Sequence, residues 1–524
     1  MRKTGSGASA AVKTKAEMDE KWGVGEWLPL PRFEIVQASG KKRPIDDGAR
    51  LGHNAASGFE ETIECCSALQ PAVHAKLLFT EASLQGREPE MEQERLETGG
   101  EDLPDAYRWI PAAPTEGALN IVSVYDPEAG ECRFQEVYGQ VFGKAGAVVN
   151  FHRPQRLLVA CARRWLMLMF SMYYDDGSLT DVGRARGRGQ RALRAMFRLA
   201  GLPFAEAKQV DLNEEADFLG LVHRVDRACL EREIFFTPRP KLVEKAAKII
   251  GDSLGQDSCT PASASKLRGI LGFLFNGAYG RIGRGGQQAL LQRQYVDTAP
   301  FSLSRTLRRS LQFMEGLLQV LPPRRVPLGM ATTKPLVIAS DGRQDSKGPP
   351  SISAVIIDIE NGVRKAFVAV CPGALCARWE TSDQCIALVE QAAIVMGLLA
   401  APAMFIGRDV YWFEDNASVL AGVIKCSSRE AELDAGLASI HTILAALQTR
   451  VWFEWVESKA NWADGSSRLL EADPWVQKHG FEVARAGVPT WPWEALPQDR
   501  VTAAKELRAS CDESSGGRTR AAVA

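Results

Sequence analysis

The sequence predicts a mixed α/β protein built from more than one domain. Three observations predict it. An apolar run, Leu166–Met172, stops abruptly at Tyr173-Tyr-Asp-Asp-Gly-Ser178, which reads as a buried strand ending in acids. Helical periodicity runs from Lys241 to Val320. Beyond it, strand and helix patterns follow in the order β-β-β-α-β-α-β, as in a compact domain around a mixed sheet. At 524 residues the chain is too long for one ordinary core, since domains run to about 100–200 residues.

In chain order, Met1 to about Trp27 reads as a disordered basic tail. A targeting role is the other reading, but there is no apolar core for a secretory signal. Leu28–Phe79 is mixed, with a turn-rich stretch at Lys41–Asn54. Gly86–Gly100 is strongly acidic and polar and is expected to be an exposed loop. Ile121–Tyr125 and Cys132–Val137 flank the turn Asp126-Pro-Glu-Ala-Gly130, which is hairpin chemistry. Arg156–Met169 is helical in pattern and runs into the apolar strand; Phe218–His223 is a further strand. The helical region is interrupted at Gly277, Gly280, Gly283, Gly285 and Gly286. Leu321-Pro-Pro-Arg-Arg325 then breaks the chain and reads as a linker. Strands are expected at Pro335–Ser340, Ser351–Ile359, Val363–Val370, Val410–Phe413 and Val451–Val456, with helices at Thr381–Ala400 and Glu430–Leu447. After Leu470 the sequence is rich in Trp and Pro, then polar, and is expected to be disordered.

Hydrophobic and charged fractions of 45% and 24% are those of a soluble globular protein. A net charge of −1 does not announce a nucleic-acid binder. Residues 239–325 differ, with fourteen Lys and Arg against five Asp and Glu, which marks a basic module. Lys266, Arg268, Arg281, Arg284, Arg293, Arg308 and Arg309 alternate there with apolar positions. They form either a grip on a phosphate backbone or a solvated helical face. Eleven cysteines carry no Cys-x-x-Cys spacing. That argues against structural zinc and for reduced thiols in an intracellular compartment, cytoplasmic or nuclear. No apolar stretch approaches the roughly 18 residues of a membrane span, so no membrane partner is expected.

Asp175 and Asp176 end the apolar strand. Asp176-Gly177 is a good turn pair, so one reading is a hairpin with solvated acids. The other is a hairpin presenting two carboxylates to a divalent metal. Like charges ~4 Å apart repel by ~4 kcal/mol at an effective dielectric of 20; Mg²⁺, which favours oxygen ligands, would remove that penalty. A two-metal phosphoryl-transfer site needs another carboxylate, and Asp102 in Asp102-Leu-Pro-Asp-Ala-Tyr107 is the candidate.

These two motifs, about seventy residues apart, resemble the catalytic pair of the reverse transcriptase palm. Phe142-Gly-Lys-Ala-Gly-Ala147 with Phe151 resembles the segment under the templating base pair. Lys208 followed by Phe218-Leu-Gly220 resembles the lysine motif and primer grip, and Lys41-Lys-Arg-Pro-Ile-Asp46 the fingers segment that holds the triphosphate. The resemblance implies that Asp102, Asp175 and Asp176 bind two Mg²⁺. It implies that Tyr107 excludes a 2′-hydroxyl and that Arg43, Gly143 and Lys208 contact substrate. A packed aromatic, a solvated loop charge and a surface lysine are the plainer readings of Tyr107, Arg43 and Lys208. One departure stands out: Glu97 through Glu101 is acidic and contains glycine where the family has an apolar lead-in strand. A short or displaced strand is expected there, with Asp105 as the fallback acid.

In the C-terminal region four carboxylates mark element ends and a helix. Asp341 ends the first strand, Glu390 lies in an apolar helix, Asp415 follows the strand Val410–Phe413, and Asp464 follows the last strand. Turn chemistry for Asp341 and helix caps for Asp415 and Asp464 are the plainer readings. Glu390 is harder to dismiss, because a carboxylate near a core is costly unless paired or metal-bound. Order and element type resemble the ribonuclease H fold. Asn461-Trp-Ala-Asp-Gly-Ser-Ser-Arg468 resembles its retroelement version, notably the tyrosine-recombinase (DIRS-type) retrotransposon group.

The resemblance implies a right-hand polymerase, fingers, palm and thumb, followed by a ribonuclease H-like mixed-sheet domain. The expected boundaries are a tail at 1–27, fingers and palm at 28–235, a basic helical thumb or connection at 236–330, the ribonuclease H-like domain at 331–470, and a tail at 471–524. It implies two Mg²⁺ per site, Mn²⁺ being the alternative ion. The implied partners are an RNA template, a DNA primer, an RNA–DNA hybrid and dNTPs. A nucleic-acid-binding relic without polymerisation is the second reading, favoured by the odd lead-in to Asp102. A nuclease whose N-terminal half only binds substrate is the third.

Overall fold

The computed structural model describes residues 9–36, 40, 42–275, 282–284, 286–320, 323–328, 334–344, 348–380, 382–495 and 497–521. Features expected at Lys41, Gly277, Gly280, Arg281, Gly285, Leu321 and Pro322 lie outside the described residues. The chain is mixed α/β with several mixed sheets, the class predicted. It forms two compact units, Met1–Leu219 with His223–Glu233, and Gly220–Val222 with Ile234–Ala524.

The first unit is ordered where a tail was expected. Thr14 and Glu17 form a reciprocal capping box on the helix Lys15–Trp22, a signature that the sequence carries openly. Met18 on that helix is buried, Lys21 pairs with Glu136 at 2.6 Å, and Trp27 meets Phe134 edge-on at 4.9 Å. A few anchors thus outweigh the polar composition of residues 9–27. The following sheet runs Lys42–Asp46, Pro29–Val36, Ile121–Asp126, Glu131–Glu136. Its last two strands are the expected hairpin.

A second sheet has the order Met169–Tyr173, Asp176–Val182, Leu96–Asp102, Val210–Asn213. The expected exposed loop at Gly86–Gly100 is corrected here: Leu96–Asp102 is an inner strand, with Leu96, Thr98 and Glu101 buried. Its glycines and acids explain how. A Cβ on Gly99 would lie 2.6 Å from the Val210 carbonyl oxygen, so only glycine lets the neighbouring strand close in. Glu101 is paired with Arg194 at 2.7 Å and Glu97 with Arg95 at 3.0 Å. The expected helix at Arg156–Met169 begins earlier and ends sooner, at Ala145–Trp165. Phe151, Phe170, Phe197 and Phe204 fill the core beneath the sheet.

In the second unit, helices Pro240–Gly255, Pro261–Leu274, Gln287–Tyr295 and Arg305–Val320 occupy the predicted helical region. Leu267, Leu271, Leu290, Leu311 and Met314 form their core, which continues into Ala438, Ala445 and Val501. The basic helices therefore share one apolar interior with later helices of the same unit. A six-stranded sheet follows, in the order Arg450–Trp455, Asp409–Glu414, Leu336–Arg343, Ser351–Asp358, Val363–Val370, Glu482–Arg485. Leu336–Arg343, Ser351–Asp358 and Val363–Val370 are antiparallel in turn, and the strands flanking them are parallel additions. The helix Cys385–Ala400 is buried on every side from Ala387 to Leu398. Beyond Leu470 the expected disorder is corrected. Glu482–Arg485 joins the sheet, and the helix Pro497–Ala521 buries Val501, Ala504 and Cys511. Three apolar positions at helical spacing in polar sequence are too sparse a signal to read.

Candidate active sites

The first candidate site sits at one end of the second sheet of the N-terminal unit. Asp102 ends its strand as the Cα partner of Asp176, which is also the partner of Tyr173 on its other side. Tyr174 and Asp175 are therefore the two turn residues, with Tyr174 at φ 50°. This corrects the expected turn at Asp176-Gly177. Gly177 is buried within the strand, where a Cβ would come 2.9 Å from the Phe170 ring. The Leu103 N–H donates to the Asp175 carbonyl at 3.0 Å, so backbone bonds fix all three acids. The lead-in strand is neither short nor displaced, and Asp105 is exposed at φ 55°.

Burial raises the Asp175 carboxyl above its usual range; the Asp102 charge adds to this, while Lys208 and Arg43 oppose it. Lys208 Nζ donates to Asp102 Oδ1 at 2.6 Å. Arg43 is exposed on the strand Lys42–Asp46, within electrostatic reach of Asp175. Tyr107 is half-buried, its ring against Phe142 at 4.7 Å and Phe151 at 5.1 Å. Burial and then the Asp175 charge push its phenol up, so it is both a packed aromatic and a neighbour of the acids. Gly143 has φ 100°, and a Cβ there would collide with the Asp46 carbonyl. Its carbonyl accepts from the Asn54 amide at 2.9 Å, which ties it to the turn after the Arg43 strand.

Sequence reasoning missed Cys65. Its thiol lies beside Tyr174, and this neighbour first and burial second push the Tyr174 phenol up to about 12. Only adjacency to Cys66 marked it in the sequence, and nothing local connects it to residue 174.

The second candidate site lies in the C-terminal unit. Asp341 is inside the strand Leu336–Arg343 rather than at its end. A Cβ on the next residue, Gly342, would lie 2.8 Å from the Glu390 nitrogen, so glycine lets the Glu390 helix press against the strand. Burial pushes Asp341 up to about 6, and the charges of Asp415 and Asp464 add to it. Burial pushes Glu390 up to about 8, with Asp415 and Asp341 adding. Glu390 and Asp415 have oxygens within 4.8 Å of each other, and Asp341 lies within electrostatic reach of Glu390, Asp415 and Asp464. The cap readings fail: the helix Ala417–Lys425 is capped by Asn416, and Asp464 caps nothing but pairs with Arg468 at 2.7 Å. Asn461 Nδ2 donates to Asp415 Oδ1 at 3.2 Å and to the Ser340 carbonyl at 2.9 Å.

Glu414 was missed. It is fully buried, and its oxygens lie within 4.8 Å of those of Glu390 and Asp415. Ser340 Oγ donates to it at 2.9 Å, and burial holds its carboxyl well above the usual range. The available signal was strand alternation: Val410, Trp412 and Glu414 form the inward row, where an acid is out of place.

The donor set fits a divalent cation. Crowded carboxylates with raised affinity for protons are what a hard cation would relieve. Glu390 Oε2 is buried without a hydrogen-bond partner among the described residues. Of the basic residues, Arg293 departs from expectation. It is buried, donating to Asp297, to the Cys259 carbonyl and to the Ser302 carbonyl at 2.9, 2.9 and 2.7 Å, so it is an internal clamp. Lys266 and Arg284 are exposed.

No protein-family model matches the chain, and no curated protein matches it. Among solved structures, the foamy viral protease-reverse transcriptase is similar in three forms. The dRH form with double-stranded DNA is 12% identical at a TM-score of 0.42, covering 82% of this chain and 65% of that one. The form with dsDNA is 13% identical at 0.42, covering 82% and 78%. The form with an RNA/DNA hybrid is 11% identical at 0.42, covering 85% and 54%. The chain therefore spans less than two thirds of the length of two of these structures.

Proposed function

We propose that the chain is the RNA-directed DNA polymerase of a retrotransposon, linked to a ribonuclease H that cuts RNA in RNA–DNA hybrids. In this reading residues 28–235 are fingers and palm, 236–330 the thumb or connection, and 331–470 the ribonuclease H-like domain. The Asn461–Arg468 ending supports the DIRS-type group. Asp102, Asp175 and Asp176 would hold Mg²⁺ in one site, and Asp341, Glu390, Asp415 and Asp464 in the other, with Mn²⁺ the alternative. Bound there in pairs, the metal supplies charge stabilisation for phosphoryl transfer at each site.

The chain's own residues do the rest. Tyr107, braced by Phe142 and Phe151, forms a rigid wall suited to stacking under a deoxyribose. Arg43 presents its guanidinium fork to triphosphate. Lys208 neutralises Asp102 through its 2.6 Å contact. Exposed cations of the basic helices hold the backbone of RNA template and DNA primer.

The observation that carries this reading is the pairing of Asp102 with Asp176, with Asp175 in the turn beside them. The relic reading drew on a displaced lead-in strand, and the lead-in strand is intact. Incorporation of dNTPs on an RNA template, by wild type beside Asp176→Asn, tests it. Wild type that incorporates nothing with either Mg²⁺ or Mn²⁺ sinks the polymerase reading.

A further inference from the structure

The Glu390 helix has an unusual problem of register. Between Cys385 and Ala400, Glu390 and Gln391 are the only residues with a charged or amide side chain. The rest is Ala, Val, Ile, Leu, Met, Gly and Cys, buried all round from Ala387 to Leu398. Apolar contacts are non-directional, so packing alone tolerates small slides and rotations, whereas buried polar bonds select one arrangement. Gln391 supplies those bonds. Its Nε2 donates to the Leu433 carbonyl at 2.9 Å. Its Oε1 accepts from the indole Nε1 of Trp493 at 3.0 Å.

Trp493 is itself held on several sides. It is 1% exposed, and its ring meets Trp379 edge-on at 5.1 Å. Its carbonyl accepts from Arg500 at 3.1 Å, and the Pro492 carbonyl accepts from Ser439 Oγ at 2.8 Å. Gly436 leaves the room: a Cβ there would strike Gln391 Oε1 and lie 2.7 Å from Trp493 Nε1.

We infer that Trp493, from the segment after the expected ribonuclease H-like domain, is a positioning residue: through the Gln391 amide it sets the register of the helix that places Glu390 in the second site. This rests on the reading of Glu390 as metal-holding. Partners hydrogen-bonded directly to a metal ligand typically change metal affinity or activity by about 10–100-fold when lost, and Trp493, one residue further out through Gln391, is expected at the low end of that range.

The test uses the full chain. Trp493→Phe keeps an aromatic ring against Trp379 but removes the N–H. Ser439→Ala loosens the same segment without touching Gln391. Glu390→Gln reports on the site itself. Two readouts are taken: the MgCl₂ dependence of Tm, and the MgCl₂ concentration for half-maximal cleavage of an RNA–DNA hybrid. The expected result is that Trp493→Phe raises the half-saturating MgCl₂ about 10-fold in both, while Ser439→Ala leaves it unchanged. Trp493→Phe that lowers Tm at every MgCl₂ concentration but keeps wild-type half-saturation overturns the inference and leaves a purely structural tryptophan. If Glu390→Gln itself has wild-type half-saturation, the metal reading of Glu390 fails, and the inference with it.

Discussion

Asp102 and Asp176 stand directly opposite each other across two antiparallel strands, in the register that also pairs Glu101 with Gly177. Two acids meet at the end of a sheet because backbone hydrogen bonds put them there. Their positions do not depend on their own side chains.

Replacing one acid by its amide should therefore leave the fold intact and remove the chemistry. Asp176→Asn and Asp102→Asn are expected to lower dNTP incorporation by about 100-fold or more. Hybrid cleavage in the same preparations should stay at the wild-type rate. Primer extension and cleavage assays run side by side read both.

Gly342→Ala should do the reverse. Its Cβ would come 2.8 Å from the Glu390 nitrogen, so the helix must move off the strand that carries Asp341. Overpacking of this kind costs about 1–3 kcal/mol. Hybrid cleavage should fall sharply and dNTP incorporation should persist; urea unfolding gives the stability loss.

Two buried histidines should each cost stability in mild acid, opposed by the buried carboxyls of Asp341 and Glu390, whose raised values act in the other direction. Burial holds His74 down at about 3, with the Arg163 charge adding, and holds His223 down at about 4. A depressed folded-state value means that the unfolded chain gains protons first. The histidine contribution is full above the ordinary 6.5 and is lost as pH falls towards 4. At pH 5 each histidine costs about 2 kcal/mol. Urea midpoints at pH 7 and pH 5 for wild type beside His223→Gln measure this: the variant should lose less, or gain more, stability between the two. A change in midpoint between pH 7 and pH 5 that is the same in His223→Gln as in wild type would contradict the assignment.

Arg293 and Lys266 should separate structure from nucleic-acid binding. Arg293→Gln removes a buried clamp with three partners, so Tm should drop by several degrees. The slope of log affinity against log salt should not change. Lys266→Gln, on an exposed residue, should leave Tm alone and reduce that slope by up to about 1 unit. Thermal melts and salt-titrated binding to a template–primer duplex check both.

Local patterning was enough for most of the longer helices and strands and for the candidate acids. Strand-like runs at 351–359 and 363–370, an apolar run into Asp175, and helical periodicity from 241 to 320 are local patterns, written by neighbours a few residues apart. Tertiary structure decided what those patterns could not. The acidic, glycine-bearing stretch before Asp102 looked like a loop because its compensation is remote: Arg194 neutralises Glu101, and the Val210 strand needs the space at Gly99. The turn fell at Tyr174-Asp175 because register with Leu96–Asp102 and Met169–Tyr173 overrode the local preference of Asp176-Gly177. Glu414 and Cys65 entered the candidate sites only by folding, through partners far away in the chain. Burial and pairing are properties of distant contacts, and a one-dimensional pattern carries the demand for them without naming the partner.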